Sequence, residues 1–139
     1  MSEPAHVLVA TLGVPGDHDA LSFALESFPD AAVTLLSVVA PADARVSEGR
    51  VLERGEQRLD AARDRAADLR AGVDEPGRVT IRTREGQPTK AIPAFVRETD
   101  VDHVVVPGQE AHWFLRRLLG ESTPQLLEER IEVPVTILP

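Results

Sequence analysis

His6-Val-Leu-Val-Ala-Thr-Leu12 is a short aliphatic run with no polar alternation. It is followed by a helical pattern over Asp17–Phe28 and then by a second such run, Ala32-Val-Thr-Leu-Leu-Ser-Val-Val39. A strand that is apolar on both faces belongs inside a parallel sheet covered by helices, because one solvated face would impose alternation. In the helix between the two strands, Leu21, Leu25 and Phe28 share one side. Asp17 or Asp19 can cap its start, and Pro29 lies just beyond its end. The unit is β-α-β, and it sets the reading of everything around it.

Outward from this unit the alternation continues. Strands are expected at Val79–Thr83, which is more polar than the rest, at His103–Val106 and at Val133–Leu138. Helical periodicity fills the intervals. Ser47–Ala71 carries Leu52, Leu59, Ala62, Ala66 and Leu69 as a narrow apolar stripe on an otherwise charged helix. Pro88–Thr99 carries Ile92, Phe95 and Val96, with Pro93 placed either to kink the helix or to push its start later. After Gly120 a last helix runs to about Arg130, with Ser122 or Thr123 as cap and Pro124 in its first turn. The order β-α-β-α-β-α-β-α-β predicts one α/β domain over residues 1–139, a three-layer α/β/α sandwich around a five-stranded, mostly parallel sheet.

Composition narrows the function classes. With 139 residues the chain can bury roughly two-thirds of its unfolded surface and needs no covalent staple. The absence of cysteine excludes disulfides, thiolate metal sites and thiol nucleophiles. A net charge of −8, without clustered cations, speaks against nucleic acid as a partner. The start of the chain has neither a charged n-region nor an apolar core of sufficient length. The expectation is therefore a cytoplasmic protein with no membrane partner. Lys90 is the only lysine among the basic residues. An acidic, lysine-poor surface fits a high-salt habitat, and arginine written for lysine fits a GC-rich genome equally well.

In a doubly wound sheet, ligands sit beyond the carboxyl ends of the strands where the strand order reverses. The segments there are Thr11-Leu-Gly-Val-Pro-Gly16 and Pro107-Gly-Gln-Glu-Ala-His112. No Gly-x-Ser-x-Gly elbow, Walker-type lysine loop or full Gly-x-Gly-x-x-Gly fingerprint occurs. The histidines His6, His18, His103 and His112 show no ligand spacing, so no metal site is expected. Asp17-His18-Asp19 reads as the acidic start of a helix. No catalytic residue is expected, and a nucleotide hydrolase or transferase is disfavoured because no base, nucleophile or carboxylate pair converges on the loops.

Five blocks, in order and in register, resemble the universal stress protein family. They are His6-Val-Leu-Val-Ala-Thr-Leu-Gly13, Arg84-Glu-Gly-Gln-Pro-Thr-Lys-Ala-Ile92, Asp100-Val-Asp-His-Val-Val-Val-Pro-Gly108, Arg116-Arg-Leu-Leu-Gly-Glu-Ser-Thr123 and Val133-Pro-Val-Thr-Ile-Leu138. The resemblance implies strand order 3-2-1-4-5 and a homodimer formed through the last strand, at Val133, Val135 and Ile137. It also implies a stress-response or regulatory role with a further, unidentified protein partner. Pro134 and the terminal apolar run suit an edge strand open to a second copy. The final strand has the alternative of pairing outside its own subunit.

ATP-binding members of the family resemble one another in an aspartate after the first strand and in Gly-x-x-Gly followed, after a spacer, by Gly-Ser/Thr. The matched positions here are Leu12, Val38, Pro107, Gly108, Ala111, Gly120, Glu121 and Ser122, and several depart from that pattern. Leu12 replaces the aspartate, Ala111 the second glycine and Glu121 the hydroxyl, and the spacer before Gly120 is one residue short. Leu12 offers no charged acceptor to a nucleoside. The Ala111 methyl obstructs close approach of backbone to phosphate. Glu121 stands where a helix N-terminus would hold the anion. One like-charge pair at ~4 Å costs about 4 kcal/mol at an effective dielectric of about 20, less in salt. No cofactor is therefore expected. The alternative is an adenine-nucleotide sensor, with ATP or a related nucleotide held by Gly108, Gly120 and Ser122, the last at the hydroxyl position in an alignment shifted by one residue.

Overall fold

A computed structural model describes residues 4–11, 16–39, 48–107 and 131–138. In chain order the elements are β1 (His6–Thr11), α1 (Gly16–Ser27), β2 (Ala32–Val39), α2 (Glu48–Ala71), a 3₁₀ turn (Pro76–Arg78), β3 (Val79–Glu85), α3 (Pro88–Glu98), β4 (His103–Val106) and β5 (Val135–Ile137). The sheet order is β3-β2-β1-β4-β5, and every pairing is parallel. The expected order and helical cover on both faces are observed. The helix expected between Gly120 and Arg130 lies outside the described residues.

Side chains of a strand alternate between its two faces, so one strand feeds two cores. Val7 and Val9 of β1, Val33 and Leu35 of β2 and Val105 of β4 pack with Ala20, Leu21 and Ala24 of α1 and Ala66 of α2. Leu8 and Ala10, Leu36, Val104 and Val106 turn the other way, onto Ile92, Phe95 and Val96 of α3 and onto Ile131. The small residues Ala62 and Ala66 are buried on α2, whereas Leu59 and Leu69 are half-buried. This is the narrow stripe expected of a helix resting on a sheet with a broad wet face.

Two expectations are revised, for β3 and β5, and the start of α3 is as expected. β3 runs on to Glu85, because it pairs with β2 along its whole length up to Val39↔Glu85. Its polar residues fit because only alternate side chains turn inward at an edge. β5 is shorter than the terminal apolar run and half-buried throughout, not buried on both faces. It pairs within the subunit beside β4, and Pro134 precedes it, accepting the Val104 N–H at 2.9 Å. α3 starts at Pro88 and includes a buried Pro93. Lys90 and Ala91 donate to the Gln87 carbonyl, so the helix start is not pushed later. Gly86, between β3 and α3, has φ of 142°, a region closed to side chains with a Cβ.

Candidate functional site

β1 delivers Thr11 to the carboxyl edge of the sheet, beside its register partner Ser37 of β2. Both are buried, although they terminate otherwise apolar strands. The Thr11 hydroxyl donates to the Leu36 carbonyl at 3.2 Å and lies 2.8 Å from Ser37 Oγ. With the Thr11 proton given to the carbonyl, Ser37 donates to Thr11. The pair then satisfies itself and has no spare proton for a ligand. Asp17, in the first turn of α1, is 4% exposed. It lines a cavity of about 50 Å³ with Thr11, Ser37, Arg65 and the α2 alanines 62 and 66. That space suits water and not a nucleotide.

Of the family-matched positions, the structure describes two. Val38 is half-buried near the end of β2 and packs on the α3-side core. Pro107 is buried immediately after β4. In the sheet they are separated by β1, so both stand on the carboxyl edge, on either side of Thr11. Leu12, Gly108, Ala111, Gly120, Glu121 and Ser122 lie outside the described residues, and so do His112, Arg116 and Arg117. The interface positions Val133, Val135 and Ile137 are half-buried, each with part of its side chain on the α3-side core. Thr11, Ser37 and the burial of Asp17 were not singled out from the sequence. A signal was present in two hydroxyl residues near the ends of consecutive apolar strands, which a parallel register brings side by side.

The opposite, amino edge holds the histidines. His6 Nδ1 lies 2.7 Å from Asp100 Oδ1, and its Nε2 lies 2.6 Å from Thr34 Oγ1. A carboxylate only accepts, so Nδ1 carries the proton, and in the neutral ring Nε2 accepts from Thr34. The hydrogen bond from His6 is the main reason that the Asp100 carboxyl is held below its usual range, with a backbone hydrogen bond and the imidazole charge adding to it. Asp102 accepts the N–H groups of Ala5 and His6 at 2.9 and 3.1 Å, tying the start of β1 to the start of β4. His103 Nε2 lies 2.7 Å from Thr136 Oγ1, and its ring packs on Phe28 at 4.8 Å. Burial lowers the His103 pKa, and nearby Asp102 only partly opposes this.

These residues staple strands and stand at the wrong edge for a ligand site. Among the described residues no group of three or more His, Asp or Glu side chains is placed to hold a metal ion. Arg78 is likewise structural. Its five N–H groups go to the carbonyls of Leu25, Phe28 and Ala31 (twice) and to the Glu75 carboxylate, closing the end of α1.

The universal stress protein family model matches residues 4–139, so the chain belongs to that family. Among solved structures it is similar to the universal stress protein UspA from Lactobacillus plantarum, at 16% identity and a TM-score of 0.79, with all of both chains covered. It is similar to a universal stress protein in complex with cAMP, at 23% identity and a TM-score of 0.62, with 99% of each chain covered. It also resembles the universal stress protein from Archaeoglobus fulgidus in complex with dAMP, at 18% identity and a TM-score of 0.57, covering 99% of this chain and 100% of that one. No curated protein matches the sequence. Among the described residues no helix is long and apolar enough to cross a membrane.

Proposed function

We infer that the protein is a non-enzymatic regulatory module of the stress response, acting as a homodimer in the cytoplasm and binding no adenine nucleotide tightly. The observation that carries this reading is the end of β1. β1 brings Thr11 to the carboxyl edge with its hydroxyl committed within the fold, and the next residue in sequence is Leu12, whose side chain is only carbon. A nucleoside placed there would leave its own polar groups without partners, which costs more than a neutral contact gains. Glu121 in place of the small hydroxyl and Ala111 in place of glycine add to the same loss.

The dimer is supported by β5, the last strand of the sheet among the described residues, whose Val135 and Ile137 are half-buried. An apolar edge strand without a described partner on its outer side favours pairing with a second copy. The second reading, an adenine-nucleotide sensor, is favoured by the two relatives solved with cAMP and dAMP. Native mass spectrometry of the gently purified protein, before and after addition of ATP, cAMP or dAMP, separates the two. The first reading expects the mass of two chains alone. An added nucleotide mass retained in low-salt buffer would establish the sensor.

A further inference from the structure

Among the described residues β3 ends the sheet on one side, and no described strand pairs with its outer edge. The Gly86 N–H donates to the Val39 carbonyl at 2.9 Å, and this fixes the phase of the ladder. Gly86, Arg84 and Arg82 direct their backbone groups into β2, so Val79, Ile81, Thr83 and Glu85 direct theirs outward. Two of the outward groups are occupied: the Val79 N–H by the Pro76 carbonyl, and the Thr83 carbonyl by Arg84 Nη1 at 2.9 Å. The N–H groups of Ile81, Thr83 and Glu85 make no hydrogen bond among the described residues.

The sign of the charge beside this edge is opposite to that of the molecule. On the α2 side Arg63 and Arg70, with Asp64 between them and Ala67 as floor, line a groove of about 500 Å³ that runs onto Val79 and Ile81. On the α3 side stand Arg82 and Arg84, the latter held 5.2 Å above the Phe95 ring. Four arginines thus flank the strand against two acids, Asp64 and Glu85, in a chain whose net charge is −8. β5, the other edge, has no arginine and an apolar face.

We propose that the outer edge of β3 binds an extended acidic peptide segment of a partner protein as an added strand. Backbone pairing with the outward groups supplies the register, and the arginines on both faces select acidic side chains. Alternate residues of the incoming strand point to opposite faces, so one set enters the Arg63–Arg70 groove and the other meets Arg82 and Arg84. The site is independent of the nucleotide question and of the dimer edge.

The test uses the full chain and a fluorescein-labelled peptide in which Glu-Glu pairs alternate with Val-Val pairs, so that each face of the added strand carries glutamate, matched to the seven residues of β3. Anisotropy is expected to show micromolar binding that weakens with salt, and roughly tenfold weaker binding of the lysine–valine analogue. On binding, amide exchange should slow at Ile81, Thr83 and Glu85, while Arg82 and Arg84 stay unchanged. Arg63→Glu with Arg70→Glu should reduce binding at least roughly tenfold. Thr83→Pro removes an outward N–H and leaves the β2 ladder intact, so it should abolish binding without a loss of helical circular dichroism. Equal binding of the two peptides, protection on β5 instead of β3, or full affinity in folded Thr83→Pro would overturn the proposal. So would a dimer that Thr83→Pro converts to monomer, since the edge would then belong to a second copy.

Discussion

Asp100 and His103 make the amino edge of the sheet sensitive to acid, each through a different physical cause. The Asp100 carboxylate is stabilised by the His6 ring, so its folded pKa lies below the unfolded value. Its contribution is therefore present above the ordinary carboxylate pKa and is lost as pH falls through the lowered one. Asp100→Asn should lower the melting temperature at neutral pH, with the two proteins converging in strong acid. Thermal melts across pH check this, and a constant difference down to strong acid would refute it.

His103 is a base with a depressed pKa. The unfolded chain takes its proton near the ordinary histidine value while the fold still resists it. Stability is thus full above about pH 6.5 and declines below it, until the folded ring also titrates. His103→Gln should flatten the melting temperature between neutral pH and mild acid relative to the unaltered chain. An unchanged slope would assign the acid sensitivity elsewhere.

At the scale of elements, Arg78 joins a helix end to an edge strand. Its donors close the carbonyls left open after α1, and its own backbone leads directly into β3. Arg78→Ala takes the side-chain donors from the half-buried Leu25 and Ala31 carbonyls, while Phe28 keeps the Ala31 N–H, and should cost about 3 kcal/mol in denaturant unfolding. Arg78→Lys should restore little, because an ammonium cannot present the same planar fork. This role was not legible in the sequence, since an arginine before a strand reads as surface charge until the helix end is brought to it. The elements themselves were legible. Continuous apolar runs dictated β1, β2 and β4 because only a doubly covered strand tolerates them. β3 and β5 were misjudged in length for the complementary reason. At a sheet edge, pairing and burial are decided by the neighbouring strand, not by the residue's own hydropathy. The candidate site was legible as a location, the carboxyl edge around Thr11 and Pro107. The closed Thr11–Ser37 pair was not, because it depends on register.

For the whole molecule, two sheet edges have opposite characters. β3 is polar and flanked by arginine, whereas β5 is short and half-apolar. On the proposed reading that asymmetry divides the work between them, with self-association expected at β5 and an acidic partner at β3. Ile137→Asp places a charge where the second copy is expected, and light scattering at micromolar concentration should report dimer for the unaltered chain and monomer for the variant. A monomer for the unaltered chain would remove the assembly on which the regulatory reading rests.

The reading itself turns on whether the departures at Leu12, Ala111 and Glu121 have closed the nucleotide site. The direct measurement is calorimetric titration of the unaltered protein with ATP in low-salt buffer, where electrostatic exclusion is strongest. The account predicts no saturable heat, or a dissociation constant weaker than roughly 100 μM. Saturable binding in the low micromolar range would contradict it and make the protein an adenine-nucleotide sensor.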